Sequence, residues 1–182
     1  MTTMTTIRPA RAADANAIAA MARAWTASEG KSTTQFTAAA IVAHSAGDRA
    51  WFRTVVADSG QDLVGYATYS FSYETEYAAP GYYIGDLYVA PAARRQGIGR
   101  ALVATVAAAA RAEGAVYLWW ASSPDNVAAH AFYAALGATF EPVVAHALTF
   151  DAFAGLADAG ERSGRDGPAG SRHDGVKRET ER

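Results

Sequence analysis

The sequence predicts an α/β (α+β) domain: a mixed, mostly antiparallel twisted sheet flanked by helices. Three observations carry that expectation. The 182 residues are about one domain's length, and 51% of them are apolar, enough for a full core although much of that fraction is alanine. The N-terminal half reads as short strands and turns, whereas the C-terminal half reads strand–helix–strand–helix–strand. The unit from Tyr82 to Ala121 has crossover length, so its two strands should run parallel.

Thr5 to Arg8 reads as a short first strand, stopped by Pro9. Asp14 is placed to cap a helix in which Ile18, Met21 and Trp25 share an apolar face. A second helical segment, Phe36 to Ala46, ends at Gly47. Trp51 to Ala57 is a strand, Asp58-Ser59-Gly60 a turn, and Leu63 to Tyr73 the hairpin partner, with Gly65 marking a bulge. Tyr82 to Val89 is the next strand, closed by Pro91, and a helix from Ile98 to Glu113 follows, stopped by Gly114. Val116 to Ala121 is rich in strand formers, and Asn126 to Leu136 is helical, ending at Gly137. Two short strands are expected near Thr139-Phe140 and Val143 to Phe150. From Asp158 to Arg182 the chain holds six acidic residues, six basic residues, five glycines and no large apolar side chain. Such a segment buries too little surface to offset its ordering entropy. Residues 158–182 are therefore expected to be a disordered charged tail, and residues 5–157 the folded domain.

Composition narrows the function. A net charge of −2 leaves no dominant basic face, so no nucleic-acid partner is expected. Cysteine is absent, which excludes disulfides, thiolate metal ligands and a cysteine nucleophile. His44, His130, His146 and His173 show no metal-ligand spacing, and no metal is expected. No apolar run approaches the ~20 residues that cross a bilayer, and Met1 to Arg11 lacks the apolar core of a signal peptide. The expectation is a cytoplasmic protein with no membrane contact.

The most informative stretch is Arg94-Arg95-Gln96-Gly97-Ile98-Gly99-Arg100. A glycine-spaced loop between a strand and a helix leaves main-chain N–H groups unpaired. The helix dipole and three arginines add positive charge at the same place, making a socket for a phosphate or pyrophosphate. A tight turn carrying solvated arginines would give the same pattern. The loop lacks the Gly-Lys-Ser/Thr ending of a nucleotide phosphate loop; it also follows the fourth strand and lacks the third glycine of a dinucleotide fingerprint. A second motif is Asn126-x-x-Ala129-x-x-Phe132-Tyr133-x-x-Leu136-Gly137. On a helix, positions 126, 129, 130 and 133 share a face, which aligns an amide with a phenol. Taken alone, Tyr133 reads first as a core tyrosine whose hydroxyl reaches water.

Together the two motifs resemble the GNAT superfamily of acyl-CoA-dependent N-acyltransferases. Asp86-Leu87-Tyr88-Val89-x-Pro91-x-x-Arg94-Arg95-Gln96-Gly97-Ile98-Gly99-Arg100-Ala101-Leu102 is similar to that family's strand–loop–helix motif, and Asn126 to Gly137 to its second motif. The resemblance covers roughly residues 5–157 and is strongest from Tyr82 to Gly137. Tyr82 to Val89 is more particularly similar to the diamine acetyltransferase branch. The resemblance implies acetyl-CoA as co-substrate, its pyrophosphate held by Arg94, Arg95, Gln96, Gly97, Ile98, Gly99 and Arg100. It implies a central parallel strand pair that splays, so that the pantetheine arm pairs with main-chain groups of Leu87 and Val89. A backbone N–H near Tyr88 or Val89 would polarise the thioester carbonyl. Asn126 would hydrogen-bond the arm, and Tyr133 would protonate the departing thiolate as general acid. An amine attacks the thioester directly, without a covalent enzyme intermediate.

The attacking amine must be neutral, which raises the question of a base. The diamine branch has a glutamate one residue before the aspartate; here that place is Gly85. Glu74, Glu76 and Asp86 are the remaining acidic candidates for substrate binding. Glu74 and Glu76 lie in a segment rich in tyrosine (Tyr73, Tyr77, Tyr82, Tyr83) that could surround a cation, or that forms an exposed charged hairpin tip. Asp86 could equally cap local backbone, and a water chain could serve as base. The expected function is transfer of an acetyl group from acetyl-CoA to a primary amine of a small molecule: a polyamine, an amino acid or an amine antibiotic. An idle acyl-CoA-binding or sensing module and a protein N-terminal or lysine acetyltransferase are the alternatives. The resemblance also allows a homodimer.

Overall fold

The computed structural model describes residues 5–30, 35–47 and 49–165, and the chain divides into two compact units, Met1–Ala138 and Thr139–Arg182. In the first unit, β1 (Thr6–Pro9), β2 (Arg53–Asp58), β3 (Leu63–Glu74), β4 (Ala79–Val89) and β5 (Tyr117–Trp119) form one sheet in that order. The first four strands pair antiparallel, and β4 pairs with β5 in parallel. The helices of this unit are α1 (Ala15–Ser28), α2 (Ala38–Ser45), α3 (Ile98–Ala112) and α4 (Val127–Leu136). The parallel pair is joined through α3, as the crossover length requires.

The core has two layers. On one face of the sheet, Ile98, Leu102, Val103 and Val106 of α3 pack against Val55, Ala67, Tyr82 and Ile84. On the other, Ile18, Met21 and Ile41 of α1 and α2 meet Val56, Tyr66 and Tyr88. Ile18, Leu102 and Val106 are 0% exposed. Each such side chain contributes about 1.5–3 kcal/mol by leaving water, so these rows fix the helices to the sheet.

Strand β4 changes face part-way. Tyr69 pairs with Ile84 and Thr68 with Asp86, which leaves Gly85 as an extra residue in a bulge. Side chains alternate along a strand, so one extra residue reverses the faces. Tyr82 and Ile84 accordingly point to α3, whereas Tyr88 points to α1. The bulge expected at Gly65 falls beside it: Ala57 pairs with Gly65 and Asp58 with Leu63, leaving Val64 as the extra residue. Gly65 itself is a close approach, since a Cβ there would lie 2.8 Å from the Tyr88 carbonyl oxygen.

Several expectations need correction. Asp14 does not cap α1 with its side chain. Its carboxylate accepts from Arg8 Nη1 at 2.7 Å, Arg8 Nη2 at 3.0 Å and the Arg11 N–H at 2.7 Å, fixing the 3-10 turn Ala12–Asp14 ahead of the helix. Strand β5 is three residues long rather than six. In the second unit, residues 139–149 carry neither helix nor strand, and α5 spans Phe150–Arg165. The strands expected at Thr139-Phe140 and Val143 to Phe150 are therefore absent; β propensity is realised only where a ladder partner exists. In α5, Phe150, Phe153 and Leu156 recur at helical spacing, and four alanines favour the helix despite three glycines. That helix continues past Asp158, so residues 158–165 are helical, not disordered. The rest of the expected tail, residues 166–182, lies outside the described residues.

Candidate active site

The β4–β5 ladder is short. Gly81, Tyr82 and Tyr83 pair with Tyr117, Leu118 and Trp119, and there it ends, while β4 runs on to Val89. The start of the ladder is packed closely. Tyr117 covers Gly81, where a Cβ would clash with its ring carbons, and Trp119 rests on Tyr83 with centroids 5.4 Å apart. Past the bulge, β4 has β3 on one side only. The Asp86 N–H donates to Thr68 Oγ1 at 2.8 Å and the Ala90 N–H to the Val64 carbonyl at 2.9 Å, so the even-numbered main-chain groups face β3. Alternation turns the N–H and C=O of Leu87 and Val89 the other way, into the space that β5 has left. Tyr88, opposite Tyr66, directs its main chain at β3. Of the two N–H groups expected to polarise a carbonyl, only that of Val89 has the right direction.

Beyond β4 a 3-10 turn, Pro91–Ala93, leads into the arginine loop. Arg94 Nε donates back to the Val89 carbonyl at 2.9 Å, and Gln96 Nε2 to the Ala92 carbonyl at 3.3 Å, so both side chains brace the loop. Arg95 has φ +60° and Gly97 φ +79°. A non-glycine residue in the left-handed region costs about 1–3 kcal/mol and is found where the surroundings impose it, often at binding sites. The Arg95 guanidinium has no partner among the described residues. The first bond within α3 runs from the Ala101 N–H to the Gly97 carbonyl, at 3.0 Å. The N–H groups of Ile98, Gly99 and Arg100 therefore lack helical acceptors. Space is open at Gly97, where a Cβ would meet nothing within 4 Å. Gly99 serves differently. A Cβ there would lie 3.2 Å from the Phe132 ring, so its absence lets α4 close on α3. Arg100 Nη1 adds a hydrogen bond to the Ala135 carbonyl at 3.3 Å.

Closure of α4 carries the second motif to the same end of the sheet. Asn126 is the N-cap of α4, its Oδ1 accepting from the Ala129 N–H at 3.1 Å. The cap uses the carbonyl oxygen, which leaves the amide nitrogen as donor for a ligand. Tyr133 is half-buried against Trp120 and Phe132, at centroid distances of 5.1 and 5.2 Å. Burial pushes its phenol above the ordinary value of 10, so it stays protonated at neutral pH. Its hydroxyl has no hydrogen-bond partner among the described residues.

The three acidic candidates separate. Glu74 pairs with Ala79 at the hairpin tip, and Glu74 and Glu76 are both exposed. Leu87 lies eight residues along β4 from Ala79, about 26 Å at ~3.3 Å per residue. The fold does not gather these glutamates with the gap. Asp86 directly follows the bulge and adjoins Leu87. Burial pushes its carboxyl above the ordinary 3.8, an effect opposed by the hydroxyls of Tyr66 and Thr68. Tyr66 is 0% exposed, and its hydroxyl, beside Asp86, meets no partner in good hydrogen-bond geometry among the described residues. Sequence reasoning missed Tyr66, Thr68 and the bulge at Gly85. Their proximity to Asp86 arises from cross-strand register, which no local motif encodes. Among the described residues, no group of three or more His, Cys, Asp or Glu could hold a metal ion.

The architecture is that of an acetyltransferase. The acetyltransferase (GNAT) family pattern matches residues 16–138, and the chain belongs to that family. Solved structures agree on the fold. An integron cassette protein from Vibrio cholerae is 20% identical with a TM-score of 0.70, the match covering 86% of this chain and 98% of that one. An aminoglycoside acetyltransferase from an uncultured soil metagenomic sample, solved with sisomicin, is 21% identical with a TM-score of 0.66, over 80% and 95%. A protein from Bacillus halodurans C-125 described as a transcriptional regulator is 23% identical with a TM-score of 0.66, over 79% and 100%. A search of curated protein sequences gave no significant match.

Proposed function

We propose that this acetyltransferase takes its acetyl group from acetyl-CoA and delivers it to a primary amine of a small molecule, by direct attack in a ternary complex. One observation carries the reading. The end of β4, with the gap-facing groups of Leu87 and the Val89 N–H, leads through one 3-10 turn to the N–H groups that open α3 without helical acceptors. The helix start, with the Arg95 guanidinium unpartnered among the described residues, suits a pyrophosphate. The gap suits an amide-bearing arm that adds main-chain hydrogen bonds as a strand would. Acetyl-CoA supplies an activated thioester; the chain's own residues orient it and manage protons. Val89 N–H is directed to polarise a carbonyl in the gap. The Asn126 amide nitrogen is free to bond the arm. Tyr133 holds a proton on a half-buried hydroxyl, as a general acid for a departing thiolate must.

Of the acidic residues, Asp86 has the position to meet the incoming amine. Its raised carboxyl pKa makes it a stronger base than an exposed aspartate. An aminoglycoside acetyltransferase among the structural neighbours is consistent with an amine-bearing small molecule as acceptor. A thiol-release assay over a panel of polyamines, amino acids and amine antibiotics tests this. Turnover with at least one amine is expected. Calorimetric binding of acetyl-CoA with no turnover of any acceptor would mark an idle acyl-CoA-binding module instead.

A further inference from the structure

The geometry points to a second ligand site away from the β4–β5 gap, and we propose that it takes a small monocarboxylate with a compact apolar body. A cavity of about 410 Å³ opens where β1 ends and β2 begins, beside α1 and α2. That volume lies within the ~300–1,000 Å³ of small-molecule pockets. Its origin is topological. β1 stops at Pro9, opposite Val55, and a single further bond, from the Ala10 N–H to the Thr54 carbonyl at 2.9 Å, continues that edge. The start of β2 keeps β3 on one side but has no strand on the side β1 has left. Ile18, Ile41 and Val42 supply apolar wall.

Polar groups on this wall are few and specific. Thr54 is 7% exposed, yet its buried hydroxyl has no hydrogen-bond partner among the described residues. An unpaired buried hydroxyl costs about 1–3 kcal/mol, which a ligand oxygen at hydrogen-bond distance would offset. Among the described residues that line the cavity, Arg11 and Arg53 are the charged ones and none is acidic. Arg53 is ion-paired with Glu113 and bonded to Tyr82, so its charge is already compensated and Arg11 is left to meet an anion. Asp14 accepts from the Arg11 main-chain N–H, but its carboxylate is already held by both Arg8 nitrogens. Arg11 is thus the unpaired charge among the described lining residues, beside an apolar wall, which complements one negative charge on a hydrocarbon body. A polycationic acceptor does not fit that charge. The cavity lies at Arg53, Thr54 and Tyr69, whereas Leu87 and Val89 pair with Ala67 and Gly65 further along β3, so this is not the acetyl-transfer gap.

Calorimetric titration of the full chain without coenzyme, using benzoate and hexanoate against benzamide and hexanamide, tests the assignment. Saturable binding of at least one carboxylate is expected, about tenfold or more tighter than its amide, as charge-assisted bonding requires. Arg11→Ala, at an exposed side chain, and the near-isosteric Thr54→Val should each weaken it by about fivefold or more. Ala46→Trp should abolish it by filling the cavity; if that variant fails to fold by circular dichroism, Arg11→Ala decides. Absence of saturable heat, equal binding of amide and carboxylate, or unchanged affinity in Arg11→Ala would overturn the proposal.

Discussion

The two halves of β4 are one strand with opposite fates. Before Gly85, the segment Gly81–Tyr83 is paired on both sides, covered by Tyr117 and Trp119, and its Tyr82 side chain is buried under α3. After Gly85, the segment Asp86–Val89 has β3 alone, its faces are reversed, and the main-chain groups of Leu87 and the Val89 N–H point away from β3 with no strand to pair with. The first half has a strand on each side. The second half leaves hydrogen-bonding capacity unspent beside a helix start, and that is where a ligand can be recognised. A single inserted residue separates them. A Cβ at Gly85 would lie 3.0 Å from Thr68 Oγ1, the atom that accepts from Asp86 N–H, so the bulge is fitted to a glycine.

Several substitutions sharpen the contrast. Gly99→Glu should have the largest effect. Its side chain would strike Phe132 and bring a carboxylate to the unbonded N–H groups, so acetyl-CoA affinity by calorimetry should fall by about a hundredfold or more. Retained affinity would place the coenzyme elsewhere. Tyr133→Phe should lower kcat by roughly ten- to a thousandfold with little change in acetyl-CoA affinity, in line with loss of a general acid. An unchanged kcat would remove Tyr133 from that role.

Asp86→Asn should lower kcat/KM by about tenfold or more while leaving the fold intact. The stability comparison has a definite sign. Burial raises the folded pKa of Asp86 above 3.8, so the ionised form is disfavoured in the native state near neutral pH. Its penalty disappears as pH falls through the folded value. Thermal melts should therefore find the asparagine variant at least as stable as wild type near pH 7, with that relative gain shrinking toward about pH 4. A variant markedly less stable at neutral pH would mean that the carboxylate is stabilising. The smallest effect belongs to the hairpin tip: Glu74→Gln and Glu76→Gln should each leave kcat/KM within about twofold and stability within ~0.5 kcal/mol, as exposed sites do. A large loss in either would bring the acceptor to the tip.

What the sequence made legible was local. The arginine–glycine loop, the helix it opens and the capping asparagine of α4 declare themselves through residues a few positions apart, and each lies where those spacings put it. Elements defined by partners far along the chain were not legible. The bulge at Gly85 exists because Thr68 pairs with Asp86 and Tyr69 with Ile84, and the same register places Tyr66 beside the Asp86 carboxyl. Gly99 reads locally as a loop glycine, whereas the room it leaves for Phe132, 33 positions later, was not legible. Val143-Val144 and Leu148 carry strand propensity that no ladder realises, and α5 crosses Asp158 because helical periodicity begins upstream, at Phe150.

Amide hydrogen exchange of the Leu87 and Val89 N–H groups, with and without coenzyme A, tests the division of β4 most directly. In the free protein both should exchange faster than Tyr83, whose residue sits within the two-sided part of the sheet, and saturating coenzyme A should slow them strongly while changing Tyr83 little. Saturable coenzyme binding that leaves Leu87 and Val89 exchanging at their free rates would contradict the account.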